Sequence, residues 1–213
     1  MKKHFYILLL LFSSLFLIST CRKDKGTPDY AGYPDEVGKI ILNKCAVSGC
    51  HNTASKEACV GQDFSSWEKL FNGGRNNSSI IPYRPDLSFF LFSVNTFDDI
   101  GPKLPPTMPV NKEPLTREEV ETLRDWIAEG APRKDGYVKW SENPERKKIY
   151  VVNQGCDFMT VFDAKTRLVM RAIDVGVLPS TEAPHDMYVS PDGKNIYLLF
   201  LKIFYFFHLP YSE

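Results

Sequence analysis

Cys45-Ala46-Val47-Ser48-Gly49-Cys50-His51 places two thiols four residues apart, with a histidine directly after the second. In an exported chain that order suits covalent haem attachment: two cysteines form thioethers to the vinyl groups while the adjacent imidazole ligates iron. The usual spacing is C-x-x-C-H, and this one is two residues longer. Adding Cys59 completes a Cys3His set of the kind that holds tetrahedral zinc. The seven residues alone therefore leave two metal chemistries open.

Immediately upstream, Val37, Ile40 and Ile41 fall at i, i+3 and i+4, which predicts a short helix capped by Asp35 and running into Lys44 and Cys45. Downstream, Ser66 to Phe71 predicts a helical piece with Trp67, Leu70 and Phe71 on its apolar side, stopped by Asn72-Gly73-Gly74. A second piece is expected over Ser88 to Val94, where Phe89, Phe90 and Phe92 read as core. The stretch Gly101 to Pro109 is rich in proline and therefore stiff and extended. It presents Met108 as a candidate metal ligand. Leu115 to Gly130 predicts the clearest helix, with Thr116 and Glu119 as a capping box, Val120, Leu123 and Ile127 as its stripe, and Gly130 and Pro132 as its stop.

The chain's 213 residues carry 26 basic and 26 acidic side chains, so no net field would hold nucleic acid. Lys2, Lys3 and His4 precede an apolar run from Phe5 to Ile18, as in an export signal over residues 1–20. Ile18-Ser19-Thr20-Cys21 looks like a bacterial lipobox, with Cys21 as the acylated residue. Cleavage there leaves a net charge of −2, since residues 1–20 contain two basic residues and no acidic ones. Residues 21–33 are polar and turn-rich, a linker from lipid to a folded domain. Cys59 and Cys156 are left over, and they read as unpaired.

A helix into a cysteine-cysteine-histidine site, a proline-rich loop with methionine, and a closing helix with Trp126 together resemble a small c-type cytochrome domain over residues 34–133. More narrowly, Met108-Pro109, Pro114-Leu115-Thr116, Glu118-Glu119 and Trp126-Ile127 to Gly130-Ala131-Pro132 resemble the cytochrome domains of exported bacterial lipoproteins. The resemblance implies a mainly α, cytochrome c-like haem domain in which Cys45 and Cys50 hold the porphyrin covalently. It makes His51 the proximal and Met108 the distal iron ligand. With both axial positions filled by protein, electron transfer to a redox protein partner is expected rather than catalysis. The localisation it implies is extracytoplasmic, in the periplasm or at the cell surface, anchored to the membrane through Cys21.

Beyond Gly136 the texture changes to short β-type runs, beginning with Lys148 to Asn153, Phe158 to Asp163 and Leu168 to Ile173. Pro184 to Val189 and Ile196 to Leu198 follow. The pair Ile149-Tyr150 recurs as Ile196-Tyr197, a period that suits a propeller blade. Ile149 to Asn153, Val161-Phe162-Asp163 and Ser190-Pro191-Asp192-Gly193 resemble the YVTN family of β-propeller repeats. The resemblance implies an all-β fragment of about one incomplete blade over residues 137–200. Residues 201–213 form an aberrant apolar tail, and the chain reads as the front of a longer protein, ended early or frameshifted near residue 200. Two further functions stay open: the N-terminal part of a haem-linked propeller oxidoreductase, or a zinc-binding lipoprotein without redox activity. His185 is read as structural.

Overall fold

The structure, a computed structural model, describes residues 29–201 and 206–210. The expected export signal and the lipidation site Cys21 lie outside the described residues. Helix α1 (Asp35–Ile40) passes directly into a π-helical turn, Ile41–Cys45. Single 3-10 turns follow at Lys56–Cys59 and Pro85–Leu87, around α2 (Trp67–Leu70), and then come α3 (Phe89–Val94) and α4 (Arg117–Ala128). Among the described residues no helix is long and apolar enough to cross a membrane.

This overturns the expectation of a mainly α, cytochrome c-like domain over residues 34–133. Among the described residues only 23% are helical, in four short helices, and 18% are strand. The mainly α expectation came from the resemblance, and the local signals against it prevail. Gly73 and Gly74 stop α2 after one turn, the prolines between Gly101 and Pro114 hold an extended path, and the two segments flanking His51 are bonded as turns rather than as helix. Asp35 does not cap α1 either. Pro34 occupies the cap position without a side-chain bond, and Asp35 lies in the first turn, where its charge favours the helix dipole.

What the helices share is one apolar core. Helix α4 buries Val120, Leu123, Trp126 and Ile127 along one stripe, as its periodicity predicts. Its capping box is formed: Thr116 Oγ1 accepts from the Glu119 amide at 3.3 Å, and the Glu119 carboxylate accepts from the Thr116 amide at 2.8 Å. Trp67 is fully buried and its indole N–H donates to the Ala131 carbonyl at 2.8 Å. That bond ties α2 to the turn after α4. Gly130 closes the turn with φ +98°, and a Cβ there would lie 2.7 Å from the Tyr83 ring. Only glycine satisfies both demands.

The β part is two separate sheets of three strands rather than one blade, a second correction to the expected fold class. Strands β1 (Lys148–Asn153), β2 (Phe158–Asp163) and β3 (Val169–Asp174) pair antiparallel in that order, as do β4 (Pro184–Val189), β5 (Asn195–Phe200) and β6 (Phe206–Pro210). Ile149-Tyr150 lies on the edge strand β1, whereas Ile196-Tyr197 lies on the central strand β5. The repeated pair therefore does not occupy equivalent places in the two sheets. Part of the expected apolar tail, 206–210, is itself a strand paired with β5.

Strand β3 is bolted to the helical part. Asn77 donates from Nδ2 to the Arg167 carbonyl at 2.9 Å and accepts the Val169 amide on Oδ1 at 3.0 Å. Ser78 donates to the Val169 carbonyl at 3.1 Å, and Arg84 pairs with Asp174 at 2.9 Å. Met170 completes the contact by joining the helical core. Removing the cap hydroxyl in Thr116→Ala should lower unfolding free energy by about 1 kcal/mol in a denaturant titration. No loss of stability would show that the capping box does not hold α4.

Candidate functional site

The two residues added to the usual spacing are absorbed by a turn. Cys50 N donates to the Val47 carbonyl at 3.0 Å, and Gly49 supplies the left-handed φ of +80° in open space. The turn brings the chain back on itself, so that the His51 amide donates to the Cys45 carbonyl at 3.1 Å. Asn52 secures the reversal. Its side-chain amide donates to the Val47 carbonyl at 2.6 Å, while Oδ1 accepts from the amides of Ala54 and Ser55. Cys45 ends the π-helical turn and is buried, and Cys50 is half-buried.

His51 is held on its other side by Phe64. The Phe64 amide donates to the His51 carbonyl at 2.8 Å, and the two rings stack with centroids 4.5 Å apart. Phe64 in turn meets Phe90 edge-on at 5.4 Å. Burial lowers the His51 pKa, opposed by the nearby Gln62 backbone, which keeps the imidazole neutral and its lone pair available at neutral pH. Its Nδ1 is buried and has no partner with hydrogen-bonding geometry. Asp63 clips this segment together by accepting from Thr53 at 2.7 Å and from Ser65 at 2.6 Å. Burial acts to raise the Asp63 pKa, but these bonds outweigh it and hold the carboxyl below its usual value.

Met108 arrives on a loop anchored at both ends of its approach. Leu104 N donates to the Phe92 carbonyl at 2.9 Å, and Met108 N donates to the Ser93 carbonyl at 2.7 Å. Asn95, almost fully buried at the end of α3, donates to the carbonyls of Phe97, Gly101 and Pro102 at 3.0, 2.9 and 3.3 Å. One side chain thus organises a segment that has no ladder of its own. The role of Asn95 was not legible in sequence, although an asparagine directly after an apolar helical run is a recurrent stop signal.

These elements line a partly open cavity of about 660 Å³ whose walls include Cys45, Cys50, His51 and Met108 together. Phe64, Phe90 and Val94 give it an apolar interior. Its volume falls within the range of about 300–1,000 Å³ usual for cofactor sites. A haem fits the residues present: two thiols, a neutral imidazole with an unpartnered nitrogen, and a thioether, all on one apolar chamber. Cys59 also lines it, with Sγ 3.9 Å from the Gly49 carbonyl. Among the described residues no three His, Cys, Asp or Glu side chains are gathered into a metal-holding group. Burial, with Cys50 as a lesser cause, pushes the Cys45 thiol up to about 12. Cys156 is exposed, and His185 is exposed with Nδ1 3.4 Å from Gln154 Nε2. Neither lines the cavity.

Lys44, next to Cys45, also lines the cavity and pairs with Glu119 at 2.6 Å. The carboxylate that caps α4 therefore also restrains the start of the cysteine segment.

Two predictions follow from this geometry. Asn95→Ala leaves three loop carbonyls without their donor and should destabilise the protein by about 1–3 kcal/mol, read as a fall in melting temperature; an unchanged melting temperature would remove Asn95 as the anchor. Asp63 has a depressed folded pKa, so its stabilisation is full above the unfolded value of about 4 and is lost as pH falls through the folded value. Melting temperature should therefore drop in acid below about pH 4, and Asp63→Asn should flatten that dependence; an equally steep profile in the variant would contradict it. Comparison of the chain with protein-family models, with curated proteins and with solved structures finds no match.

Proposed function

We propose that this chain is an extracytoplasmic electron carrier in which Cys45 and Cys50 would hold one haem covalently and His51 and Met108 would hold its iron. The observation that carries the reading is the convergence of these four side chains, from two distant stretches of sequence, on one apolar cavity. Bound there, the group supplies one-electron exchange between ferric and ferrous iron.

The residues divide the work. Cys45 and Cys50 attach the cofactor so that it is not lost outside the cell. His51 offers a neutral nitrogen, stacked on Phe64 and therefore limited in rotation. Met108 offers a soft thioether from a loop fixed by Asn95 and Ser93, and a histidine-methionine pair favours the reduced iron. Phe64, Phe90 and Val94 give the chamber apolar walls, which would lower the local dielectric constant around the group. With His51 and Met108 both committed to holding the iron, no open position would remain for substrate, so the partner would be another redox protein rather than a small molecule. Export and acylation at Cys21 would keep the carrier at the membrane surface, in the periplasm or outside the cell.

Expression of the full chain with export and a haem-maturation apparatus tests the reading. The protein should be red, and its pigment should stay with the polypeptide through denaturing electrophoresis. Cys45→Ser together with Cys50→Ser should lose that covalent pigment. A colourless wild-type protein carrying zinc would overturn the proposal. Met108→Ala should keep the attached pigment but lose the sulfur-to-iron charge-transfer absorption of the ferric state and lower the midpoint potential; an unaltered spectrum would remove Met108 as a ligand.

A further inference from the structure

Cys59 is left without a task by the reading above, yet it lines the same cavity as Cys50. The 3-10 turn that ends on it, Lys56–Cys59, touches the cysteine loop at both ends. At its start Ser55 donates from Oγ to the Cys50 carbonyl at 2.5 Å, and at its finish the Cys59 thiol donates to the Gly49 carbonyl at 3.9 Å. The turn therefore straddles the peptide bond between Gly49 and Cys50. Two cysteines nine residues apart stand with the sulfur of one beside the backbone of the other, and Cys50 lies within electrostatic reach of the Cys59 thiol.

Both backbones are already held. The Cys50 amide is bonded to Val47, and the Cys59 carbonyl accepts from the Gln62 amide at 3.1 Å. Val60 reverses the chain directly after Cys59 with a left-handed φ of +52°, and its carbonyl accepts from the Arg75 amide at 2.8 Å. Arg75 also donates from its side chain to the Glu57 carbonyl at 2.7 Å, which pins the middle of the turn. Closing a bond between two such segments costs little further chain entropy. Both thiols are half-buried and open to a small reagent through the cavity, whereas Cys45 is buried and Cys156 lies off the cavity.

We infer that Cys50 and Cys59 are a reversible dithiol–disulfide pair on the wall of the cavity. The inference stands on the positions of the two cysteines and does not depend on haem. The oxidant is a low-molecular-weight disulfide of the glutathione class. A thiolate of the pair attacks one of its sulfurs and expels one glutathione thiolate; the second cysteine, as thiolate, then attacks its neighbour's sulfur and expels the other. One S–S bond forms in the protein and one breaks in the oxidant. The two electrons given up by the cysteine sulfurs reduce the oxidant to two thiols, which take up the two protons. Closing the bond withdraws Cys50 from any other use, whether thioether or metal, until a thiol reductant opens it.

The test uses the full chain expressed without a haem-maturation apparatus, reduced, equilibrated with mixtures of reduced and oxidised glutathione, quenched by alkylation and digested with trypsin. Cleavage after Lys44, Lys56 and Lys69 leaves Cys45 and Cys50 together on peptide 45–56 and Cys59 on peptide 57–69. Mass spectrometry should find the two peptides joined, exceeding the bond internal to 45–56 by about tenfold or more. The joined pair should form equally in Cys45→Ser, which identifies Cys50 as the partner. In Cys59→Ser and Cys50→Ser it should be lost, and a glutathione adduct should persist on the remaining cysteine because no second thiol resolves it. Dominance of the internal Cys45–Cys50 bond, an undiminished joined pair in Cys50→Ser, or a lasting adduct in Cys45→Ser would each overturn the pair. Cys59→Ser keeps Cys45, Cys50, His51 and Met108, so the matured variant should still carry its pigment. A colourless matured protein whose chain still closes the bond fails the haem reading alone, and a red protein whose haem-free chain does not close it fails this inference alone.

Discussion

The backbone of His51 is clasped from two directions, its amide by the Cys45 carbonyl at 3.1 Å and its carbonyl by the Phe64 amide at 2.8 Å. The first bond closes the cysteine loop whatever the number of residues inside it, so long as they can turn, which Gly49 allows. The second joins that loop to the segment whose Phe64 ring stacks on the imidazole and whose carbonyl accepts the fully buried Tyr33 hydroxyl at 3.0 Å. Loop, histidine and core are therefore one mechanical unit. The remaining wall, with Met108, is brought up independently by α3 and Asn95.

Features set by local chemistry were legible in the sequence. The capping box of α4 and its stripe through Ile127 depend on neighbours three and four residues away, and alternation along Lys148 to Asn153 and Phe158 to Asp163 is equally local. The mainly α fold class came from the cytochrome resemblance and not from the residues between Asn52 and Pro114, which read as short helical pieces and turns and are found so. There the backbone is satisfied by individual side chains, Asn52, Asp63 and Asn95, whose partners lie across turns rather than along a helix. Asp35 shows the same limit on a smaller scale, since a proline directly before it takes the cap position.

The candidate site was legible as a list of residues but not as a place. Cys45, Cys50 and His51 are contiguous enough to be noticed, and proline spacing drew notice to Met108. That they share one chamber depends on bonds of Met108 and Leu104 to α3, which no periodicity announces.

X-ray absorption at the metal edge of the matured, full-length protein tests the central claim most directly, since it reads the atoms around the metal without reference to colour or activity. The account predicts a single iron surrounded by the ring nitrogens and one imidazole nitrogen, with one sulfur neighbour contributed by Met108. A zinc signal with several sulfur neighbours, or an iron site with no sulfur at bonding distance, would contradict it.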